Sequence, residues 1–105
     1  MSDLPDSYKA FQKQHTPLWQ AFEKLGETAA ASGPLELKTR ELIKLGMAAA
    51  YGSVSAVKSH THRALEAGLS VEEIEHAILL GITTLGFPSM MAALTWAKEA
   101  IQDHK

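Results

Sequence analysis

The sequence predicts a small all-α protein of about five to six helices, and three observations predict it. Apolar residues recur at intervals of three and four along most of the chain, the spacing of one helix face. No stretch alternates apolar and polar residues as a half-buried strand would. Short clusters such as Ser32-Gly33-Pro34 and Gly86-Phe87-Pro88 punctuate the periodic segments.

The elements follow in order. Tyr8, Phe11, Leu18, Trp19, Phe22 and Leu25 are spaced as on helices, but Thr16-Pro17 interrupts them. Proline is tolerated at a first helical position and threonine before it can cap, so the pattern predicts helices over 6–14 and 17–31. Ser32-Gly33-Pro34 ends the second. The next helix runs over 36–50, with bulk from Leu42, Ile43, Leu45 and Met47 and close-approach positions at Ala48, Ala49 and Ala50. Tyr51-Gly52-Ser53 is its turn, and Ser53 caps a helix over 54–67 that Gly68 ends in the left-handed conformation. Ser70-Val71-Glu72-Glu73 is a capping-box pattern, with Leu69 and Ile74 placed as a hydrophobic staple, and predicts a helix to about residue 85. Gly86-Phe87-Pro88 restarts the chain into a last helix carrying Phe87, Met91, Leu94, Ala97 and Ile101 on one stripe.

Composition bounds the function. At 105 residues with 46% hydrophobic, the chain is the size of a single domain, 1–105. A net charge of -2 gives no general attraction to nucleic acid or anionic lipid. No apolar run approaches the roughly 20 residues of a membrane span, and the N-terminus lacks the pattern of a signal peptide. The expected location is the cytoplasm. Absence of cysteine excludes thiol or disulfide chemistry by the chain's own side chains.

Carboxylates, histidines and hydroxyls remain. Glu41 lies about ten residues before the 51–53 turn and His60 about eight after it, so on antiparallel helices the two fall at similar heights. Ser53, Ala56 and His60 share one face of the second helix. A carboxylate facing an imidazole is a sensible acid/base pair: it raises the imidazole pKa, which burial opposes. The bland alternative is a solvated Glu41 near Lys38, Arg40 or Lys44 and a boundary His60. His60 and His62 lie about 200° apart on a helix and cannot share an ion, so no metal is expected. His15 and His104 read as solvent-facing.

The segment Leu37-Lys38-Thr39-Arg40-Glu41-Leu42-Ile43 resembles the opening of the carboxymuconolactone decarboxylase family, which includes the alkyl hydroperoxidase D-like proteins. The resemblance continues through His60, Arg63-Ala64-Leu65-Glu66-Ala67-Gly68, Ser70-Val71-Glu72-Glu73-Ile74 and Gly86-Phe87-Pro88, covering about 34–100. It implies an alkyl hydroperoxidase D-like fold around an antiparallel helix hairpin, assembled as homotrimers or homohexamers. In the peroxidase-like branch a glutamate precedes a Cys-x-x-Cys pair and a histidine follows four residues after it. Glu41 and His60 match these, whereas Ser53 and Ala56 occupy the cysteine positions and Ser55 that of an intervening histidine. In the decarboxylase branch an acidic residue precedes the histidine by four, where this chain has Ala56.

The resemblance thus implies His60 as general acid/base and Glu41 as its orienting partner. Ser53 or Ser55 would be a hydrogen-bond donor to a small organic acid or lactone, with no cofactor. The alternatives are a non-catalytic oligomeric binding or scaffold protein and, least, a peroxidase-related antioxidant protein. Oligomerisation has its own sequence argument. Phe87, Met90, Met91, Leu94 and Trp96 crowd the last helix, and Met90 and Trp96 lie off the stripe and need another partner.

Overall fold

The computed structural model describes residues 6–104. Among them are six α-helices, one short 3-10 turn and no strand. The chain divides into two compact units, Met1–Leu35 and Glu36–Lys105.

The first unit holds α1 (Asp6–Gln14) and α2 (Thr16–Ala30). His15, not Thr16, is the junction residue. The Thr16 hydroxyl donates back to the Gln12 carbonyl at 2.8 Å instead of capping forward, and Pro17 sits in the first turn of α2. Phe11 meets His15 and Trp19, and Trp19 meets Phe22, at ring-centroid separations of 5.2, 6.2 and 5.6 Å. Neither helix buries a residue fully, and Leu18, Phe22 and Leu25 remain well exposed along one stripe of α2.

The second unit is built on the hairpin of α3 (Leu37–Tyr51) and α4 (Val54–Glu66), followed by α5 (Val71–Leu79), the 3-10 turn Leu80–Thr83 and α6 (Phe87–Asp103). Local chemistry sets each boundary. The Glu36 carboxylate caps α3, accepting from the Lys38 amide at 3.1 Å and the Thr39 hydroxyl at 2.9 Å. Gly52 ends α3 with φ +80°, which a side chain rarely adopts. Ser53 Oγ caps α4 by accepting from the Ala56 amide. At the end of α4 the Leu69 amide donates to the Ala64 carbonyl and the Gly68 amide to that of Leu65, a Schellman motif with Gly68 at φ +95°. Ser70 and Glu73 form both halves of the predicted capping box. Leu69 and Ile74, the staple pair, are buried.

The helix predicted to reach residue 85 stops at Leu79. Gly81, Ile82, Thr83 and Thr84 are all weaker helix formers than leucine or alanine, and the Thr84 and Leu85 amides turn back onto the Gly81 carbonyl.

The core of this unit joins Leu45, Val57, Leu69, Ile74, Ile78 and Met90 to six alanines: Ala48, Ala49, Ala64, Ala93, Ala97 and Ala100. Those alanines let the helices approach closely, so one methyl group more or less is felt. Met90 corrects the sequence reading. It is 2% exposed inside this core, while Phe87, the expected head of the stripe, is 59% exposed. The inward face of α6 is therefore Met90-Ala93-Ala97-Ala100, displaced around the helix from the stripe of largest side chains. Trp96 too packs, partly buried, against this core. Met90 therefore needs no partner molecule.

Candidate functional site

Glu41 lies in the second turn of α3 and His60 in the middle of α4. Both are half-buried. Each carries one buried polar atom without a hydrogen-bond partner: Oε1 of Glu41 and Nδ1 of His60. These two atoms are thus not bonded to each other. A polar atom removed from water and left unpaired costs about 1–3 kcal/mol. Two such atoms, on the two helices of one hairpin, mark the place where the fold gives up stability.

Counting from the turn gives the nominal spacing of the two residues along the hairpin. Glu41 stands eleven residues before Gly52, and His60 stands eight after it. The difference of three residues is roughly 4.5 Å along the axis, nearly one turn. By the same count, the α3 residue at the height of His60 is Lys44, and the α4 residue at the height of Glu41 is Arg63.

Both of these cations act on His60. The pKa of His60 is lowered from 6.5 to about 4, first by burial of the ring, then by the positive charges of Arg63 and Lys44. His60 is therefore a neutral imidazole at pH 7, in a positive field. A carboxylate entering beside it would meet that field, offset it, and draw the His60 pKa upward.

The serines are differently placed. Ser53 Oγ is engaged as the α4 cap and lies 3.3 Å from Ser55 Oγ. Ser53 is half-buried and Ser55 exposed. The capping role uses a lone pair of Ser53 and leaves its proton to be donated.

Lys44 and Arg63 are the residues that the sequence reading passed over as chemistry. The signal for them was the count from Gly52, which puts a cation level with each member of the acid/base pair. His104 was also misplaced: it is half-buried, and its Nδ1 lies 3.0 Å from Nδ1 of His62.

Residues 17–99 match the carboxymuconolactone decarboxylase family, and the chain belongs to it. Its fold is similar to that of a carboxymuconolactone decarboxylase family protein from Legionella pneumophila in its apo form. The TM-score is 0.79 at 26% identity, over 93% of this chain and 87% of that one. A family member from Burkholderia xenovorans LB400 gives 0.69 at 29% identity, covering 95% and 81%. An uncharacterized protein of Haemophilus influenzae is 35% identical over 63 residues, which are 60% of this chain and 56% of the relative's length.

Proposed function

We propose that the chain binds a small organic acid or lactone at Glu41 and His60 and carries out cofactor-free proton transfer on it, decarboxylation included. The observation that carries this reading is the pair of buried, unpartnered atoms, Glu41 Oε1 and His60 Nδ1, on adjacent helices. Native proteins pair their buried polar groups, so two orphans in one hairpin are poised for a ligand.

In this reading Lys44 and Arg63 attract the substrate carboxylate, Ser53 or Ser55 donates a hydrogen bond, and His60 moves the proton. When the carbon–carbon bond to the carboxylate breaks, carbon dioxide leaves and the electron pair stays on the substrate as an enolate. His60, protonated because the bound anion has raised its pKa, delivers its proton to that carbon. Glu41 orients the ring or a bound water. The protein works as a homotrimer or homohexamer in the cytoplasm, without a nucleic acid or membrane partner.

A thermal-shift screen of lactones, oxo acids and hydroxy aromatic acids tests the reading, since a ligand of the folded state raises the melting temperature by mass action. The active ligand should lose its effect with His60→Asn. If no acid or lactone shifts the transition, the proposal fails.

A second reading is an oligomeric binding or scaffold protein that keeps the fold without turnover. Ala56, standing where the decarboxylase branch has an acid, favours it. A ligand that binds and is not converted would establish that reading. Thiol peroxidase activity is disfavoured because no cysteine is present. Pure, metal-free protein should turn over no peroxide with a dithiol above a protein-free control.

A further inference from the structure

We propose that His62 and His104 form a two-histidine site for a late first-row divalent ion, Zn²⁺ or Cu²⁺, that ties the end of α6 to α4. This site is separate from Glu41 and His60 and does not depend on the function proposed there.

The two Nδ1 atoms lie 3.0 Å apart, and the ring planes are inclined by only 30°. The ring centroids are 5.2 Å apart. That exceeds the nitrogen gap by about the combined distance from each centroid to its own Nδ1. The rings therefore meet edge to edge, with their nitrogens aimed at each other, and not face on face. Two imidazole nitrogens bound to one tetrahedral ion at 2.0–2.1 Å stand about 3.3 Å apart. The gap in place is already within a few tenths of an ångström of that spacing.

Chain geometry permits the remaining adjustment. His62 is fixed on α4, whereas His104 follows the last residue of α6 in an extended conformation, ψ 127°, outside the helix. A small swing of His104 turns both lone pairs toward an ion seated beside the N–N line. The proton balance is simple. The hydrogen bond between the rings needs one Nδ1–H and one Nδ1 lone pair. On binding, the first ring moves its proton to Nε2, so two neutral imidazoles coordinate and no net proton leaves.

Among the described residues no group of three or more His, Asp or Glu converges, so water fills the other positions and chelators compete well. Exposed acids lie nearby in sequence, Glu66 one turn after His62 and Asp103 beside His104, and their charge favours a cation. Imidazole suits both ions, with copper(II) the tighter by the usual order of divalent affinities.

The test uses the untagged full chain. Zn²⁺ titration by calorimetry should show one equivalent per chain, with uptake weakening as pH falls and the imidazoles take protons. In proton–nitrogen NMR the ring signals of His62 and His104 should move together, while those of His15 and His76 stay. His62→Asn and His104→Asn should each weaken binding roughly tenfold or more, and His76→Asn should not. The NMR experiment needs no variant, so a misfolded His62→Asn would not obscure the result. Absence of stoichiometric uptake, or uptake that leaves the His62 and His104 signals in place, would overturn the site.

Discussion

At the residue scale, His60 carries a charge environment with a measurable consequence. Its folded pKa of about 4 lies below the ordinary 6.5. As pH falls below 6.5 the unfolded chain takes up this proton before the folded one does. Folding stability from this group is therefore whole above 6.5, declines as pH falls toward 4, and is lost below that. His60→Asn should flatten the pH dependence of chemical denaturation in that window. The titration itself should be visible by NMR near 4. Lys44→Gln, removing a named positive charge, should move it upward. A His60 titration near 6.5, indifferent to Lys44→Gln, would contradict the field described here. The placement of Glu41 and His60 on adjacent helices was legible in the sequence, because their spacing across the 51–53 turn puts one on each arm of the hairpin. That Glu41 Oε1 and His60 Nδ1 lack a partner was not, because spacing along the chain fixes no side-chain contact. The His62–His104 contact had no sequence signal at all: 42 positions separate the two residues, and only the packing of α6 on α4 joins them.

At the element scale, the boundaries with a chemical signature were the legible ones. Ser70 and Glu73 form the full capping box, and Ser53 caps α4 as its position suggested. Ser70→Ala should cost about 1 kcal/mol by urea denaturation, since it frees the Glu73 amide from its partner. Gly68→Ala should cost a similar amount, roughly 1 kcal/mol or slightly more, because φ +95° strains any β-carbon. That carbon would lie 3.4 Å from the flexible end of Lys38, an ordinary contact, so backbone strain rather than a clash sets the cost. The Glu36 cap adds a pH signature. Its pKa is lowered, first by the Thr39 hydroxyl and then by the Lys38 amide, so its contribution holds above the ordinary 4.5 and is lost as pH falls below it. Where no single residue marks a boundary, the sequence misled. Weak formers within Leu80–Thr83 tighten the chain into a 3-10 turn, yet Leu80 and Ile82 continue the apolar pattern past the true end of α5.

At the scale of the whole molecule, the exposed apolar stripes carry the case for self-association, now that Met90 lies in the core. On α3, Ile43, Met47 and Tyr51 recur every fourth residue along one exposed line, with Tyr51 at 86% exposure. On α2, Leu18, Phe22 and Leu25 make a second such line. Contiguous large apolar groups of this kind on a small protein mark an interaction surface more often than chance. The first unit sharpens the point: α1 and α2 have nine and fifteen residues and bury none of them fully. Helices of such length are marginal in water without packing, so a second copy covering α2 would supply what they lack. We therefore expect a symmetric assembly of more than one chain by light scattering at micromolar concentration, with trimer or hexamer the number that the family resemblance implies. Met47→Lys and Phe22→Glu should each shift the mass toward that of one chain, and Phe22→Glu should also lower the helical circular dichroism as the first unit loses its support. Glu72→Lys, a change of charge at an exposed position of α5, should leave the mass unchanged. A wild-type chain that stays monomeric across the micromolar range would rule the assembly out, and the two stripes would then need an occupant other than a second copy of this protein.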